Sequence, residues 1–401
     1  MSTYVQVVFL LVFIDKRREI SEKDRVIKLS SYPKVAVIVP CWNEEKTVHK
    51  TVESILNLNY PKDRLEVFII DDGSTDTTWQ EILKYKNNPQ VKMFQKENGG
   101  KHTAVNFGID KTDADFISCL DSDSFVERDA LVKILSVFEK NKEVMTVSPS
   151  VIVHNPKNFL QAIQKVEYNM SLYIKKMLSF MNGIHVTPGP FSVFKRDVFE
   201  KIGKFRKAHN TEDAEIAFRM QVNHMKIEHC HDAHVFTVAP NTVRKLFHQR
   251  LRWNYGFIQN VYDYRYALFN RKYGSFSLFT LPAGIFSIIA VIYIFFSLIY
   301  NIVIILLQKI EKIQTVGIDN TFSLPSFDPF FFNTKALLFV SVLLYGFLFL
   351  AIIRGHRMAK DKKILNRYII PYMATYSILA PLWLVKSIYN SVVVRREVKW
   401  R

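Results

Sequence analysis

The sequence predicts an α/β domain with a mostly parallel sheet, followed by α-helical transmembrane segments. Residues 35–240 alternate short β-branched runs with stretches of helical character, which is typical of a parallel sheet covered by helices on both faces. Later in the chain, apolar runs reach the length that crosses a bilayer. We therefore divide the chain into a short apolar, membrane-proximal segment (1–30), a main domain (31–272) and a C-terminal membrane region (273–401).

The chain is strongly basic. Its 401 residues contain 54 Lys and Arg and 37 Asp and Glu, so the formal net charge is 54 − 37 = +17. This excess suits basic loops beside a membrane, anionic lipids or phosphate-bearing ligands. No nucleic-acid recognition motif accompanies the charge, so no nucleic-acid partner is expected. Cys41, Cys119 and Cys230 are few and widely spaced, which argues against a disulfide framework and fits a reducing compartment.

Three apolar runs predict about three membrane helices near the end of the chain. Each approaches or exceeds the roughly 18 to 20 residues that cross a bilayer. They cover residues 281–307, 336–353 and 368–385. The opening run, 4–14, is too short to span a bilayer and lacks the basic region and cleavage site of a signal peptide. We interpret it as the end of a truncated span or as an interfacial anchor.

Basic residues predict the orientation of the chain in the cell membrane. The connection 354–367, "RGHRMAKDKKILNR", should be cytoplasmic by the positive-inside rule, and the mixed-charge connection 308–335 should face outward. The main domain is then cytoplasmic. If all three apolar runs cross, however, the basic tail 395–401 ends outside, against the same rule. The last run, interrupted by Pro371 and Pro381, is therefore either a third span or a re-entrant or interfacial segment.

Polar clusters follow the predicted strands of the main domain. "VIVP" leads into "CWNEE", "LEVFII" into "DDGSTD", "VKMF" into "ENGGK" and "DFISCL" into "DSDS". Because ligands bind where the strands of a parallel sheet end, these clusters should meet at one edge of the sheet. Asn43 is predicted to cap the helix after the first strand. Neither GxxxxGK[ST] nor GxGxxG follows that strand, so the commonest nucleotide fingerprints are excluded.

In this order, the clusters resemble the family 2 glycosyltransferases with the GT-A fold. Further along, "TEDAE" and "QRLRW" resemble the acidic and Q-x-x-R-W motifs of the processive, membrane-embedded synthases of that family, which make poly-N-acetylglucosamine, chitin, hyaluronan or cellulose. Each motif alone is weak, but six in the right order are specific. The resemblance covers about 35–255 and the membrane region, and it implies a Rossmann-like GT-A domain.

Asp121 and Asp123 are the candidate metal ligands. Two carboxylates one residue apart at the end of a strand can share a hard divalent cation and leave places for phosphate oxygens. They are also well placed to cap the helix that follows. The resemblance implies Mg²⁺ or Mn²⁺ bound with a nucleoside diphosphate, where the ion neutralises charge on the leaving diphosphate. Asp121 is also expected to contact the nucleotide sugar.

Four positions near the first strands, together with Lys101, are candidates for binding the nucleotide sugar. Asp71 and Asp72 are ordinary turn formers, but the resemblance implies that one of them, preferably Asp72, receives the base or ribose. Trp42 either stacks on uracil or packs in the core, and Glu44 would line the same pocket. Lys101 follows two glycines, which suits close backbone approach to a phosphate, although a solvated surface lysine is the alternative.

Glu212 and Asp213 open a predicted helix that Thr211 or Asn210 would cap. Acidic residues are ordinary in a first turn. The resemblance implies that Asp213 is the general base that takes the proton from the acceptor hydroxyl as its oxygen attacks the anomeric carbon. One base and one metal-held leaving group suffice for a single displacement, which inverts the anomeric centre. The preceding "TPGP", 187–190, is stiffer than the usual small-residue segment of the family and leaves the sugar specificity open.

Gln249, Arg252 and Trp253 stand at i, i+3 and i+4, so a helix places them on one face. The resemblance implies that Arg252 meets the diphosphate, Gln249 an acceptor hydroxyl and Trp253 the terminal sugar of the acceptor. The alternative is a basic interfacial helix with no part in catalysis. The His- and Cys-containing run 226–238 suggests zinc, but it reads better as a strand, which sends neighbouring side chains to opposite faces.

These features predict a metal-dependent, inverting hexosyltransferase integral to the cell membrane. It would move GlcNAc or glucose from a UDP-sugar to a growing β-linked polysaccharide, with membrane lipids around it. The alternative is a single-transfer enzyme that acts on a lipid acceptor. A membrane transporter subunit with an inactive transferase-like domain is disfavoured by the intact acidic motifs, and ion transport by the few intramembrane charges. Accessory subunits, linkage and chain length are left open.

Overall fold

The structure is a computed structural model that describes four stretches of the chain. They are 2–21, 29–316, 334–360 and 365–394. Three features singled out in the sequence fall outside them in whole or in part, namely the basic tail 395–401, part of the outward connection (317–333) and the middle of the basic connection (361–364).

Eight strands form a single sheet in the main domain. They are β1 Val35–Cys41, β2 Leu65–Asp72, β3 Val91–Lys96, β4 Phe116–Cys119, β5 Ser124–Val126, β6 Val144–Val153, β7 Val193–Lys195 and β8 Lys226–Thr237. Their order is β3-β2-β1-β4-β7-β6-β8-β5. The half formed by β3, β2, β1 and β4 is parallel, whereas β7 runs antiparallel to both of its neighbours. The predicted α/β domain is confirmed, with a Rossmann-like half joined to a mixed half.

Twelve helices lie within the described residues. They are α1 Ser2–Ser21, α2 Val48–Leu56, α3 Thr78–Leu83, α4 Lys101–Asp110, α5 Ala130–Lys140, α6 Phe159–Phe180, α7 Arg196–Ile202, α8 Glu212–Val222, α9 Val243–Asp263, α10 Leu281–Val316, α11 Thr334–Met358 and α12 Leu365–Tyr389. A short π-helical turn, Phe276–Thr280, leads into α10, and another, Asn390–Val394, follows α12.

The parallel half of the sheet is buried on both faces. Val37 and Val39 of β1 pack with α2 and α5 on one side, and Ile38 packs with α4 on the other. All three side chains are fully buried. This explains why β1 reads as an unbroken β-branched run rather than as an alternating pattern. It also fixes the ends of β1, β2 and β4 at one edge, where the polar clusters begin.

Asn43 does not cap α2, contrary to the prediction. The helix begins only at Val48, and Asn43 has a left-handed backbone with φ of 56°. Its Oδ1 accepts a hydrogen bond of 2.8 Å from Thr75 N in the loop after β2. Asparagine tolerates this backbone well. Its side chain therefore joins the loops after β1 and β2 instead of starting a helix.

Two helices of the described residues are long and apolar enough to cross a membrane. They cover Phe276–Thr315, which includes α10, and Arg367–Val394, which includes α12. The two differ in their surroundings. None of the most apolar 18-residue window of the first is buried against the protein, whereas 28% of that window in the second is. The most apolar stretch of α10 is thus not packed against the described protein, as expected of a helix in lipid.

The end of α11 docks against the main domain. Gly355 leaves no room for a side chain against the backbone of α6. His234 Nε2 of β8 donates a hydrogen bond of 3.2 Å to the carbonyl oxygen of Met358. The guanidinium of Arg354 lies 4.2 Å from the ring centre of Phe13 on α1. The described start of the basic connection, 354–360, therefore lies on the same side as the main domain.

Candidate active site

Lys101 connects two of the polar clusters predicted to meet, its own and that of Asp121, to the acidic pair at the start of α8. Its Nζ lies 2.6 Å from Asp121 Oδ1 and 3.1 Å from Glu212 Oε1. Burial acts to lower its pKa, but the carboxylates of Asp121, Glu212 and Asp213 hold that pKa well above its usual range. Lys101 is therefore a fixed positive charge between the end of β4 and the start of α8. This contradicts its interpretation as a solvated surface lysine.

The Asp72 carboxylate holds the loop that carries Lys101. It accepts hydrogen bonds from Gly99 N at 3.1 Å, Gly100 N at 2.9 Å and Lys96 Nζ at 2.6 Å. Its side chain is almost fully buried. Asp72 thus fixes the start of α4, where Lys101 stands. A role in receiving the base or ribose stays a prediction.

Asp71 has a similar structural role in the neighbouring loop. It accepts hydrogen bonds from Ser74 N at 3.1 Å and from Gln95 Nε2 at 2.9 Å. Trp42 and Glu44 follow β1 and are both partly buried. They lie at the same edge of the sheet as Asp71, because β1 and β2 are parallel and adjacent. The predicted nucleotide residues are thus collected at one edge.

Asp121 and Asp123 form a crowded acidic site. Burial raises the pKa of Asp123 to about 6, and the nearby carboxylates of Asp121 and Glu44 act in the same direction. Ser124 Oγ donates a hydrogen bond of 3.1 Å to Asp123 Oδ1. Carboxylate oxygens that repel one another suit a hard divalent cation, which would remove that repulsion. The donor set therefore fits Mg²⁺ or Mn²⁺.

No cluster of three or more His, Cys, Asp or Glu side chains in the described part of the chain is arranged to hold a metal ion. At the acidic site the protein would therefore supply two ligands, and phosphate oxygens and water the others. The same finding disfavours zinc in the His- and Cys-containing run. That run forms β8, as predicted, with His229 and His234 buried along the strand.

The pKa values of the two acidic residues at the start of α8 are shifted in opposite directions. Burial acts to raise the pKa of Glu212, but Lys101 and Arg252 bring it below its usual value. Burial and the neighbouring Glu212 raise the pKa of Asp213 to about 6, against the opposing charges of Lys101 and Arg252. Two adjacent carboxylates whose pKa values are pushed apart mark a pair with different roles. Asp213 then has a pKa suited to a general base near neutral pH.

The turn before this pair does not contain the predicted cap. Thr211 precedes α8 but makes no capping hydrogen bond; its Oγ1 donates instead to Ala208 O at 3.1 Å. Ala208, His209 and Asn210 all have left-handed backbones, with φ of 44°, 57° and 59°. Such conformations cost free energy unless neighbours hold them. Here Arg252 Nη1 donates a hydrogen bond of 2.9 Å to Asn210 O.

Gly189 of the "TPGP" segment is a site residue that the sequence reasoning missed. A Cβ at this position would lie 2.7 Å from Lys101 Nζ and 3.3 Å from Asp121 Oδ1, so a side chain here would displace the Lys101 ammonium from this ion pair. Thr187 N and Oγ1 donate to the Asp213 carbonyl at 3.2 and 3.0 Å. The segment therefore connects the metal carboxylates to the acidic pair. In the sequence, a glycine between two prolines was the feature that could have indicated this role.

Helix α9 brings its motif to the acidic pair through a close contact. A Cβ on Gly256 would clash with the Thr211 side chain, so glycine lets α9 approach the turn before α8. Gln249 Oε1 is buried and accepts no hydrogen bond from any described residue. An unsatisfied buried acceptor suits a ligand hydroxyl. Trp253 is 38% exposed, which leaves one side of its ring available.

A second set of residues behind Trp253 also escaped prediction. The guanidinium of Arg250 lies 4.2 Å from the Trp253 ring centre, and its Nη2 donates a hydrogen bond of 2.6 Å to Glu167 Oε2 of α6. Tyr376 of α12 donates to the same oxygen at 2.7 Å. These partners are 83 and 209 positions apart in the sequence. Only the place of Arg250 inside "QRLRW" gave a signal.

The chain is similar to known glycosyltransferases. The model of the family "Glycosyl transferase family 2" matches residues 36–203. A poly-beta-1,6-N-acetyl-D-glucosamine synthase of Staphylococcus epidermidis is 28% identical over 311 residues, which are 77% of this chain and 72% of that protein. The synthase of the same name from Staphylococcus aureus (strain COL) is 30% identical over 224 residues, 55% of this chain and 54% of that one.

The fold also resembles a solved structure. The mannosyltransferase PcManGT from Pyrobaculum calidifontis, in complex with GDP-Man and Mn²⁺, superposes with a TM-score of 0.58 at 18% identity, covering 99% of this chain and 100% of the other. This likeness confirms the GT-A fold of the domain and the helical region after it. The family match 36–203 contains Lys101 and the Asp121–Asp123 site, whereas the acidic pair and the α9 motif lie beyond it.

Proposed function

The chain contains a glycosyl transferase family 2 domain, and on that premise we propose that it is an inverting, membrane-integral synthase of a β-linked polysaccharide. The donor is UDP-GlcNAc, and the acceptor is the growing end of the polymer. The observation that carries this proposal is the meeting of Lys101, Asp121, Glu212 and Arg252 around Asp213. The similarity to two poly-beta-1,6-N-acetyl-D-glucosamine synthases supports the sugar and the polymer.

Asp121 and Asp123 bind a divalent cation, Mg²⁺ or Mn²⁺, together with the diphosphate of the donor. When bound, the ion neutralises negative charge on the leaving UDP. Lys101 and Arg252 add two positive charges beside the acidic pair, and both are placed there by hydrogen-bonded loops. Charges already oriented before reaction stabilise a developing negative charge without reorganisation. Asp71, Asp72, Trp42 and Glu44 receive the nucleoside.

Asp213 takes the proton from the acceptor hydroxyl. The hydroxyl oxygen attacks the anomeric carbon, the bond from that carbon to the diphosphate breaks, and UDP leaves with the electron pair. This single displacement inverts the anomeric centre. Glu212 keeps its negative charge beside Lys101 and raises the pKa of Asp213, which makes Asp213 a stronger base. A base matched to the working pH transfers protons efficiently.

The acceptor lies along α9. Gln249 contributes a buried oxygen without a partner among the described residues, which receives an acceptor hydroxyl. Trp253 offers an exposed indole face on which the terminal sugar stacks. The single-transfer enzyme on a lipid acceptor is not favoured, because the named relatives make polymers.

The main domain and the connection 354–367 face the cytoplasm. The docking of 354–360 onto the domain supports a common side for both. The positive-inside rule supports the cytoplasmic side, because this connection is strongly basic. The exposure of the most apolar 18-residue stretch of α10 supports a crossing by that helix. Membrane lipids are then partners of the protein.

The test is to incubate washed membranes carrying the protein with a panel of UDP-sugars and Mg²⁺ or Mn²⁺, and to size the products by mass. UDP-GlcNAc should give a ladder of oligomers and polymer, and EDTA should abolish it. Membranes carrying Asp213→Asn are the matched control. A single glycolipid product would overturn the polymer proposal, and no consumption of any UDP-sugar would overturn the transferase proposal.

A further inference from the structure

Helix α12 differs from α10 because only one of its faces is open. Exposed residues recur every three or four positions at 370, 374, 377, 378, 382, 386 and 389. Among them Ile370 is 77% exposed, Ile378 67% and Leu382 42%. The other face is packed, with Tyr372, Trp383 and Leu384 buried. A helix with one packed face and one exposed apolar face is typical of a segment that lies on a membrane rather than across it.

Both ends of α12 contact the main domain. Near its start, the ring of Tyr368 lies 6.1 Å from that of Phe159 on α6. Near its end, Ser387 Oγ lies 3.4 Å from Leu251 O of α9. Ser391 and Val392, just beyond, line a cleft of about 1290 Å³ together with residues 201–202 and 206–209 of the domain. The helix therefore stays against the domain along its whole length.

This contact pattern does not fit a crossing. A helix of 25 residues is about 37 Å long, and the hydrocarbon core of a bilayer is about 30 Å thick. A helix that crossed would carry its far end to the side opposite the domain. The ends of α12 instead contact α6 at one end and α9 at the other.

The open face of α12 lies at membrane level. Trp383 and Leu384 pack with Ile288 and Val291, in the first turns of the membrane helix α10. Through its packed face, α12 is therefore continuous with a helix that lies in lipid, and its opposite face, which carries Ile378, is apolar and exposed. Lipid, rather than another protein, is the occupant that this continuity supports.

The packed face of α12 reaches the acceptor motif. Tyr376 and Arg250 both donate hydrogen bonds to Glu167 Oε2, at 2.7 and 2.6 Å. Arg250 is buried, and its guanidinium lies 4.2 Å from the centre of the Trp253 ring. Glu167 thus fixes Arg250 from one side and binds α12 from the other. A change in the position of α12 would be transmitted through Glu167 and Arg250 to Trp253.

We propose that α12 lies along the cytoplasmic surface of the membrane with its open face in lipid, and that Tyr376 and Glu167 are positioning residues that hold Arg250 beneath Trp253. The membrane thereby sets the place of the sugar-binding indole. The part concerning Trp253 rests on the proposed polymer synthesis, whereas the path of α12 does not.

Cysteine labelling tests the path of α12. Arg367→Cys and Val393→Cys, near the two ends, are made in a variant without the three native cysteines, all of which are buried. Neither should react with a membrane-impermeant thiol reagent in intact cells, and both should react after permeabilisation. A cysteine in the connection 308–335 is the matched control and should react in intact cells. Reaction of Val393→Cys alone in intact cells would show a crossing and overturn the proposal.

The open face is tested in reconstituted liposomes. A fluorophore on Ile378→Cys should be quenched by a spin label carried on the lipid chains, and a fluorophore on Glu81→Cys, on the short helix α3 of the main domain, should not. Equal, weak quenching at both positions would show that lipid does not cover this face. If both ends of α12 label in intact cells, the proposed orientation is wrong, but the common side of the two ends still stands.

Tyr376→Phe tests the positioning role, with Tyr368→Phe on the same helix as control. Tyr376→Phe should lower the rate of chain elongation about two- to fivefold, on the order of one lost hydrogen bond and no more than the loss expected for removal of Trp253 itself. The KM for UDP-GlcNAc and the hydrolysis of UDP-GlcNAc by water should stay as in the wild type. Equal losses in hydrolysis and elongation, or no loss in either, would overturn the role. A wild type that consumes no UDP-GlcNAc would instead overturn the proposed function, and the labelling would still decide the path of α12.

Discussion

The donor side and the acceptor side of the site are built in different ways. On the donor side, the segments that follow β3 and β4 bring opposite charges together, with Lys101 at the start of α4 between Asp121 and Glu212. These loops stand on a sheet that is buried on both faces. On the acceptor side, a single helix carries Gln249 and Trp253, and its supports are α6 and α12.

This difference indicates which part of the site is rigid and which part depends on the packing of neighbouring helices. The donor side depends on backbone hydrogen bonds and ion pairs within a closed core, so a change there should affect chemistry directly. The acceptor side depends on contacts between helices, one of which belongs to the membrane region. A change there should affect how long the product stays in place. Substitutions on the two sides should therefore separate transfer from elongation.

The largest effect is expected for Asp213→Asn on the donor side. Loss of the general base should lower the rate of transfer about 10²- to 10⁴-fold. UDP affinity should remain nearly unchanged, because this residue acts on the acceptor hydroxyl. Initial rates and isothermal titration with UDP measure the two properties separately. Asp63→Asn, on an exposed turn far from the site, is the control. If UDP affinity is lost together with activity, Asp213 has a different role.

The next effect is expected for Asp123→Ala. Removal of this carboxylate should abolish the metal-dependent part of UDP binding, since Asp123 is one of only two protein ligands proposed. The loss should reach at least the roughly 10- to 100-fold that disturbing a metal site commonly costs. Titration with UDP, with and without EDTA, measures it, and Asp129→Ala at the start of α5 is the control. UDP binding that responds to EDTA as in the wild type would place the metal elsewhere.

The third effect concerns pH. The pKa of Asp213 is raised to about 6, and the base works only when deprotonated, so activity should be lost as the pH falls through about 6. Below that point the rate should fall about tenfold for each pH unit. Lys101 lowers this pKa, so Lys101→Met should move the acidic limb of the pH–rate profile to higher pH. A limb that stays in place in Lys101→Met would contradict the proposed coupling.

The donor side could be predicted from the sequence because its residues follow strands. Once the strands are recognised, the ends of β2, β3 and β4 must lie at one edge, and Asp72, Lys101 and Asp121 lie there with them. The motifs did not indicate which contacts these residues make with one another. The structure shows Asp72 bonded to the loop of Lys101, and Gly189 against the ion pair of Lys101. These contacts depend on distances of a few tenths of an ångström, which residue patterns do not contain.

The support of the acceptor side could not be predicted for a different reason. The motif on α9 is local, so the helical spacing of Gln249 and Trp253 was sufficient to place them on one face. Glu167 and Tyr376 belong to other helices, and their contact with Arg250 exists only after α6, α9 and α12 have packed together. Asn43 and Thr211 show the same limit on a smaller scale. Asn43 Oδ1 accepts a hydrogen bond from Thr75 N of the next loop, and Thr211 Oγ1 accepts one of 3.2 Å from Asn260 Nδ2 of α9, so neither side chain forms the predicted cap.

The smallest effect is expected on the acceptor side, for Trp253→Ala. Stacking of an indole on a sugar ring contributes about 1 kcal/mol, on the order of an aromatic pair. This corresponds to about a fivefold change in the ratio of the rate of product release to the rate of the next sugar addition. Because Arg250 holds the ring from behind at 4.2 Å, the substitution removes a face that is already oriented. Elongation should therefore fall about fivefold, while hydrolysis of the donor by water should hardly change.

Sizing of the products by mass distinguishes this outcome from a general loss of activity. The wild type should give a long ladder, and Trp253→Ala should give short oligomers at a similar rate of UDP release. Tyr262→Ala is the matched control, because Tyr262 lies on the same helix and is 62% exposed but has no place in the proposed site. A ladder of unchanged length in Trp253→Ala would show that the indole does not hold the growing end. The position of α12 in the membrane would then have no effect on elongation through Trp253, even if the proposed path of α12 were correct.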